Sequence, residues 1–182
     1  LMTNNMFFIA NWKMFGDLKS INSTKKVIKL SKDKKYKATK IIYCPPYTLI
    51  QHFSKITNDT RVSVGAQNCH YLENSGPFTG CVNADLIKSV GASYVIIGHS
   101  ENRLSGDTNN IINLKIKSAL KKKLKVIFCF GETLDEKRKN KTAKVINSQI
   151  SLGLKNIKKN NNIIFAYEPV WSIGTGLVPK NN

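Results

Sequence analysis

Three side chains and one glycine loop in this sequence stand where acid–base chemistry could be done. Glu168 follows the apolar run Ile163-Ile164-Phe165-Ala166-Tyr167 and precedes Pro169-Val170-Trp171, so a strand delivers a carboxylate to a sheet edge, where it can act as a general base. His99 closes the run Ser93-Tyr94-Val95-Ile96-Ile97-Gly98 and precedes Ser100-Glu101, a strand leading into a helix start. The positive end of a helix favours an uncharged imidazole, which can donate a hydrogen bond to a carbonyl oxygen. Lys13, separated from the apolar end of the first run by Asn11 and Trp12, brings an ammonium to the same kind of edge. Trp171-Ser172-Ile173-Gly174-Thr175-Gly176, between Pro169 and Pro179, has the two free-moving glycines and stiffened ends of a hinged lid. His52 and His70 read as structural. Cys69 and His70 are neighbours that point to opposite faces of an extended segment, so no metal site is expected.

The elements that must position these groups are six short apolar runs: Phe7 to Ala10, Ile41 to Cys44, Val62 to Val64, Ser93 to Ile97, Val126 to Cys129 and Ile163 to Tyr167. They lack polar alternation, as strands of a parallel sheet covered on both faces do. Helix-like stretches separate them: Leu18 to Leu30, Pro46 to Ile56, Ala84 to Val90, Thr108 to Leu120 and Thr142 to Ile157. Repeating βα units without a Pro/Gly/Ser linker predict one α/β domain over residues 1–182, either a doubly wound sheet or a β/α barrel. In either, chemistry gathers at the carboxyl ends of the strands.

Composition narrows the classes. With 182 residues and 41% hydrophobic content the chain can bury a core, and no apolar run approaches the roughly 20 residues that a membrane-spanning helix needs. A soluble, cytosolic protein is expected. The four cysteines form no CxxC pair and read as reduced thiols. The net charge of +18 raises a nucleic-acid reading, but Lys supplies 26 of the 29 cations, spread over several segments and accompanied by 20 Asn. Phosphate and groove recognition leans on Arg forks and stacking aromatics, so a solvated lysine surface is the better reading.

The strand ends, taken in order, read NWKM (Asn11 to Met14), GAQN (Gly65 to Asn68), GHSE (Gly98 to Glu101), CFGET (Cys129 to Thr133) and YEPVWSIGTG (Tyr167 to Gly176). This series resembles the triosephosphate isomerase family from Phe7 to about Gly176. The resemblance implies a (β/α)8 barrel of which the first six βα units are present and the last two are missing from this chain. It implies Glu168 as the base, His99 as the electrophile, Asn11 and Lys13 in substrate contact, with Lys13 also balancing developing charge, Glu101 as the partner orienting Lys13, and Gly174 as a backbone N–H donor to phosphate from a closing lid. It further implies a triose phosphate substrate, no metal or organic cofactor, and a homodimer formed through Gln67, Asn68 and the loop Gly76 to Gly80.

Departures from the family pattern generate expectations of their own. The family usually has a second Arg at Asn102, one more residue after it, and Glu at Asp107, so an ion pair is expected to be lost there; Pro77 and Cys81 replace the commoner Ala and Glu. Leu1 before Met2 and the stop at Asn182 read as a fragment. The chain alone is expected to keep unpaired strand edges and to be inactive. The competing functions are a non-catalytic remnant or Lys-rich nucleic-acid-binding protein, and, less favoured, another phosphate-handling barrel enzyme.

Overall fold

In the computed structural model, which describes residues 6–175, six strands form a single parallel sheet: β1 (Met6–Asn11), β2 (Thr39–Cys44), β3 (Val62–Ala66), β4 (Tyr94–Ile97), β5 (Lys125–Phe130) and β6 (Ile163–Tyr167). The spatial order is β1-β2-β3-β4-β5-β6. A doubly wound sheet reverses its order at a switch point, whereas a barrel adds each strand beside the last, so the order decides between the two architectures in favour of the barrel. The sheet is also curled. Ile42, Cys44, Tyr94, Ile96, Ile127 and Cys129 form one inner cluster, and Ile9 from β1 and both Ile164 and Ala166 from β6 pack against it.

Helices cover the outer face: α1 (Lys25–Ser31), α2 (Tyr47–Thr57), α3 (Ala84–Ser89), α4 (Ser100–Leu104), α5 (Asn109–Lys121), α6 (Leu134–Arg138) and α7 (Thr142–Gly153). The outer core runs through Phe53, Ile50, Val95, Ile112, Ile116 and Phe128, with Trp12 edge-on to Phe53 at 5.2 Å. Apolar residues of α5 at i, i+4 and i+7 (Ile112, Ile116, Ala119) face the sheet and are fully buried, which is the helical period at work.

Three local expectations are corrected. Leu18 to Leu30 is not one helix, because Lys19–Thr24 is a 3-10 segment and α1 starts at Lys25. There Ser23 and Thr24 each donate a side-chain hydrogen bond to the carbonyl three residues back, a pattern that competes with the α ladder. The stretch after Thr142 stops at Gly153, where a side chain would meet the Phe128 ring at 2.6 Å. Finally, the strands are not all covered on both faces. β4 is wholly buried, but β1 and β6 are the two ends of the sheet, and Phe8 and Phe165 are 55% and 53% exposed.

All four cysteines are free, Cys81 exposed and the other three buried. Burial pushes the thiols of Cys44 and Cys69 from 9.0 up to about 12. Such a thiol stays protonated in the fold while it ionises in the unfolded chain, so its contribution is fully present below pH 9 and is lost as pH rises toward 12. At neutral pH a thiol reagent should therefore label one cysteine quickly, Cys81, and all four after denaturation. Urea midpoints should fall above pH 9, less steeply in a Cys44→Ala/Cys69→Ala variant; fast native labelling of three or four thiols contradicts this placement.

Candidate active site

Parallel strands end on the same side, so the residues after β1, β4 and β6 share one rim although they are far apart in sequence. Two glycines make the rim possible. Gly98 has φ +82°, and a Cβ there would lie 2.7 Å from the Cys129 carbonyl, so only glycine lets β4 turn into His99 this close to β5. Gly131 packs against the Glu168 backbone, where any Cβ would collide with the Glu168 carbonyl.

His99 is the N-cap of α4, its Nδ1 accepting the Glu101 backbone N–H at 3.2 Å. A ring nitrogen that accepts carries no proton, so the ring hydrogen sits on Nε2. That atom faces the Glu168 carboxylate, with Nε2 to Oε2 at 3.5 Å. Glu168 is anchored by its backbone N–H to the Phe130 carbonyl at 2.9 Å. Its Oε2 is buried and accepts no hydrogen bond among the described residues, which leaves a lone pair open to a substrate proton. The neighbouring Cys129 thiol is held protonated, first by burial and then by the Glu168 charge, so it offers no competing nucleophile.

Lys13 adopts φ +52°, an uncommon backbone state for a residue with a side chain. Its loop is held there from three points: the Lys13 N–H donates to Asn11 Oδ1 at 2.9 Å, and Gln67 Nε2 donates to the carbonyls of Lys13 and Cys44 at 2.8 and 2.9 Å. The ammonium pairs with Glu101 Oε1 at 2.7 Å, with both side chains substantially exposed. Pairs of that kind are worth about 1 kcal/mol or less, so an incoming anion can replace the carboxylate at little cost.

Asn11, Lys13, Gln67, His99, Glu101 and Asn102 line a cavity of about 320 Å³. Glu168 lies beside it, across the His99 ring, in a separate small pocket with Gly98, Cys129 and Gly131. Gly174 does not line the cavity; it stands at φ +69° with open space around it, after the 3-10 turn Val170–Ser172. Gly176 and Pro179, the far end of the expected lid, lie outside the described residues. His52 is away from the rim, and His70 stacks between Tyr71 and Phe78.

Two groups escape a reading of the sequence for reactive residues. Glu132 is 1% exposed, and its carboxylate accepts from Tyr167 Oη and from Trp171 Nε1, both at 3.0 Å, while Lys137 Nζ sits 3.5 Å over the Trp171 ring. It ties the segment after Glu168 to the end of β5; the signal was an acid directly after an apolar run, the same signal that marks Glu168. Lys115 is buried against Asp107 at 2.6 Å and bonds Asn68 Oδ1 at 3.0 Å, joining α5 to the loop after β3. Arg103, next to the Asn102 departure, spends its guanidinium on the carbonyls of Gly98 and Cys129 and on Asn109.

This geometry has close relatives. The family model for triosephosphate isomerase matches residues 6–182. The chain belongs to the triosephosphate isomerase family. The triosephosphate isomerase of Dictyoglomus thermophilum is 44% identical over 171 residues, covering 92% of this chain and 68% of that protein. That of a Wolbachia from Brugia malayi is 37% identical over 178 residues, covering 98% of this chain and 72% of the relative. The crystal structure of triosephosphate isomerase from Bartonella henselae superposes with a TM-score of 0.85 at 35% identity, covering 92% of this chain and 69% of that one. The relatives are isomerases by name, and this chain spans about two thirds of their length. The six strands are therefore a curled part of the triosephosphate isomerase barrel.

The Glu132 cluster yields a prediction. Glu132→Ala leaves the Tyr167 hydroxyl and the Trp171 N–H without their acceptor, at a cost on the order of 2 to 4 kcal/mol. In a Trp12→Phe background, where Trp171 is the remaining tryptophan, the variant should red-shift the emission and lower the urea midpoint. Unchanged emission would mean that Glu132 does not hold this segment.

Proposed function

We propose that this chain carries the proton-transfer rim of a triosephosphate isomerase, interconverting dihydroxyacetone phosphate and D-glyceraldehyde 3-phosphate in glycolysis and gluconeogenesis. The observation that carries the reading is the facing pair: a buried carboxylate oxygen on Glu168, without a donor among the described residues, and the Nε2 of His99, 3.5 Å apart. Glu168 takes the proton from the carbon next to the carbonyl. His99 donates from Nε2 to the carbonyl oxygen as charge develops there, and the enediolate collapses when the proton returns to the neighbouring carbon. The exchange balances internally: a C–H bond breaks at one carbon and one forms at the other, His99 recovers at Nε2 the proton of the hydroxyl that becomes the new carbonyl in return for the one it gives the old carbonyl oxygen, and no electron acceptor is needed.

Lys13 exchanges its weak pair with Glu101 for the substrate's phosphate and developing charge, while Asn11, at the base of that loop, holds the lysine in place. The Gly174 backbone N–H belongs to the closing segment, which meets the phosphate and excludes water from an enediolate that would otherwise lose phosphate. A cytoplasmic location and a homodimer through Gln67, Asn68 and the Gly76 to Gly80 loop complete the reading.

The test uses the chain fused to the part of the Dictyoglomus thermophilum relative that lies beyond the match. Glu168→Asp withdraws the carboxylate by about 1 Å, and a loss on the order of 100-fold in kcat is expected, with a comparable loss for His99→Gln. A kcat that either change leaves intact contradicts the assignment; an unchanged fold with no turnover in the parent fusion supports the non-catalytic remnant.

A further inference from the structure

On the outer wall of the barrel a cavity of about 390 Å³ lies between α2 and the segment that runs through the 3-10 turn into α1. Its floor is aliphatic: Ile21 is buried, Ile28 and Ile56 are half-buried, and Leu18 stands 63% exposed at one end. Lys25, Lys29 and Lys32 line the same cavity with Ile28 among them, so positions i, i+3, i+4 and i+7 of one helical face turn toward it. His52 and Ile56, one turn apart on α2, form the opposite wall. Val27 and Leu30, on the β1 side of α1, do not border it. Neither the rim residues nor those assigned to the homodimer line it.

Charge decides what can occupy this cavity. No acidic residue lines it. Among the described residues the ion-paired lysines are Lys13, Lys115, Lys121, Lys122 and Lys139, so the three ammonium groups here have no carboxylate. The acids nearest in sequence are used locally: Asp17 accepts from Ser20, and Asp33 accepts the Lys35 backbone N–H. Lys25 and Lys29 are like charges at i, i+4, an arrangement that costs stability until an anion lies beside them. From Lys25 to Lys32 the row of charge runs about 10 Å, two helical turns. Nucleic acid fits poorly, since neither Arg nor a Phe, Tyr or Trp ring lines the cavity to fork a phosphate or stack on a base. A flat anionic bilayer cannot reach an aliphatic floor set between two helices.

We propose that this cavity is a docking groove for an acidic amphipathic helix of a partner protein. Aliphatic side chains of that helix enter the floor between Leu18 and Ile56, and its carboxylates, repeated over two turns, pair with Lys25, Lys29 and Lys32. The apolar contact supplies affinity, and the lysine row sets which helices are accepted. The groove does not depend on the proton-transfer reading, and its test needs no turnover.

The probe is a fluorescein-labelled peptide of repeated Leu-Glu-Glu-Leu-Leu-Glu-Glu heptads, titrated into the fusion described above and followed by anisotropy. Saturable binding is expected, at least ~10-fold tighter than that of a scrambled peptide without an apolar face, with amide exchange slowed in α1 and α2 and unchanged in β1 and β6. Lys25→Glu/Lys29→Glu/Lys32→Glu, which alters exposed side chains, should lose at least ~10-fold in affinity, and Leu18→Ser about 3-fold. Lys144→Glu/Lys158→Glu/Lys159→Glu, the same change of charge on exposed lysines elsewhere, should lose less than ~3-fold. The proposal is overturned if the peptide does not bind, if the scrambled peptide binds as well, or if the two triple variants lose alike. It is also overturned if a DNA duplex or phosphatidylserine vesicles depend on the three groove lysines more than the peptide does. A fusion that binds the peptide but turns over no substrate upholds the groove and counts against the proposed function alone.

Discussion

The in-register parallel pairing of the strands is the constraint on which everything else rests. Each strand is only four to six residues long, too short to hold a position alone, but β1 through β6 are hydrogen-bonded in chain order and share an inner cluster. Parallel pairing puts every carboxyl end on one side, and the curl brings the two outermost strands toward the same interior. Lys13, His99 and Glu168 are thus gathered by backbone geometry, before any of their side chains interact. The same constraint leaves the ends of the sheet bare, because a parallel strand that lacks a neighbour exposes both its main-chain groups and the outer face that a helix would have covered.

What refines the rim is a set of unreactive groups. The 3.5 Å spacing between His99 and Glu168 depends on Gly98 and Gly131, which allow β4, β5 and β6 to approach without a side chain between them. Gln67 holds the strained Lys13 loop, and Glu132 holds the segment after Glu168. The energies divide accordingly. The bonds that fix backbone, those of Gln67, Glu132 and the Lys115–Asp107 pair, are shielded, and breaking one strands its partner. The Lys13–Glu101 pair, by contrast, is exposed and cheap to open.

Much of this was legible in the sequence, for reasons that differ by element. The six strands were visible because buried parallel strands are continuous apolar runs, and the strand-end motifs identified their relatives. The barrel order was not visible from periodicity, since a doubly wound sheet uses the same βα repeat; pairing partners alone separate the two. The 3-10 start of the Leu18 to Leu30 stretch was hidden because Ser23 and Thr24 look compatible with a helix until their hydroxyls are seen bonding backward. α6 is five residues long, beneath the reach of periodicity, although Thr133 and Glu136 form a capping box at its start. Glu132 was missed because the same pattern that marks a reactive acid marks a buried anchor, and only its two donors distinguish them. Of the lysines, Lys115 is the one buried among the described residues, and it is paired; nothing in the sequence signalled this, since Lys115 sits in the same helical stretch as solvated lysines.

The central claim is that Glu168 exchanges a carbon-bound proton of a triose phosphate within this rim. Its most direct test is deuterium incorporation at C1 of dihydroxyacetone phosphate in D₂O, followed by proton NMR with the completed barrel. A base working on that carbon predicts stereospecific loss of one C1 proton signal, abolished by Glu168→Gln while the fold, judged by circular dichroism, is kept. Exchange of both protons at equal rates, or exchange that persists in Glu168→Gln, would contradict the account.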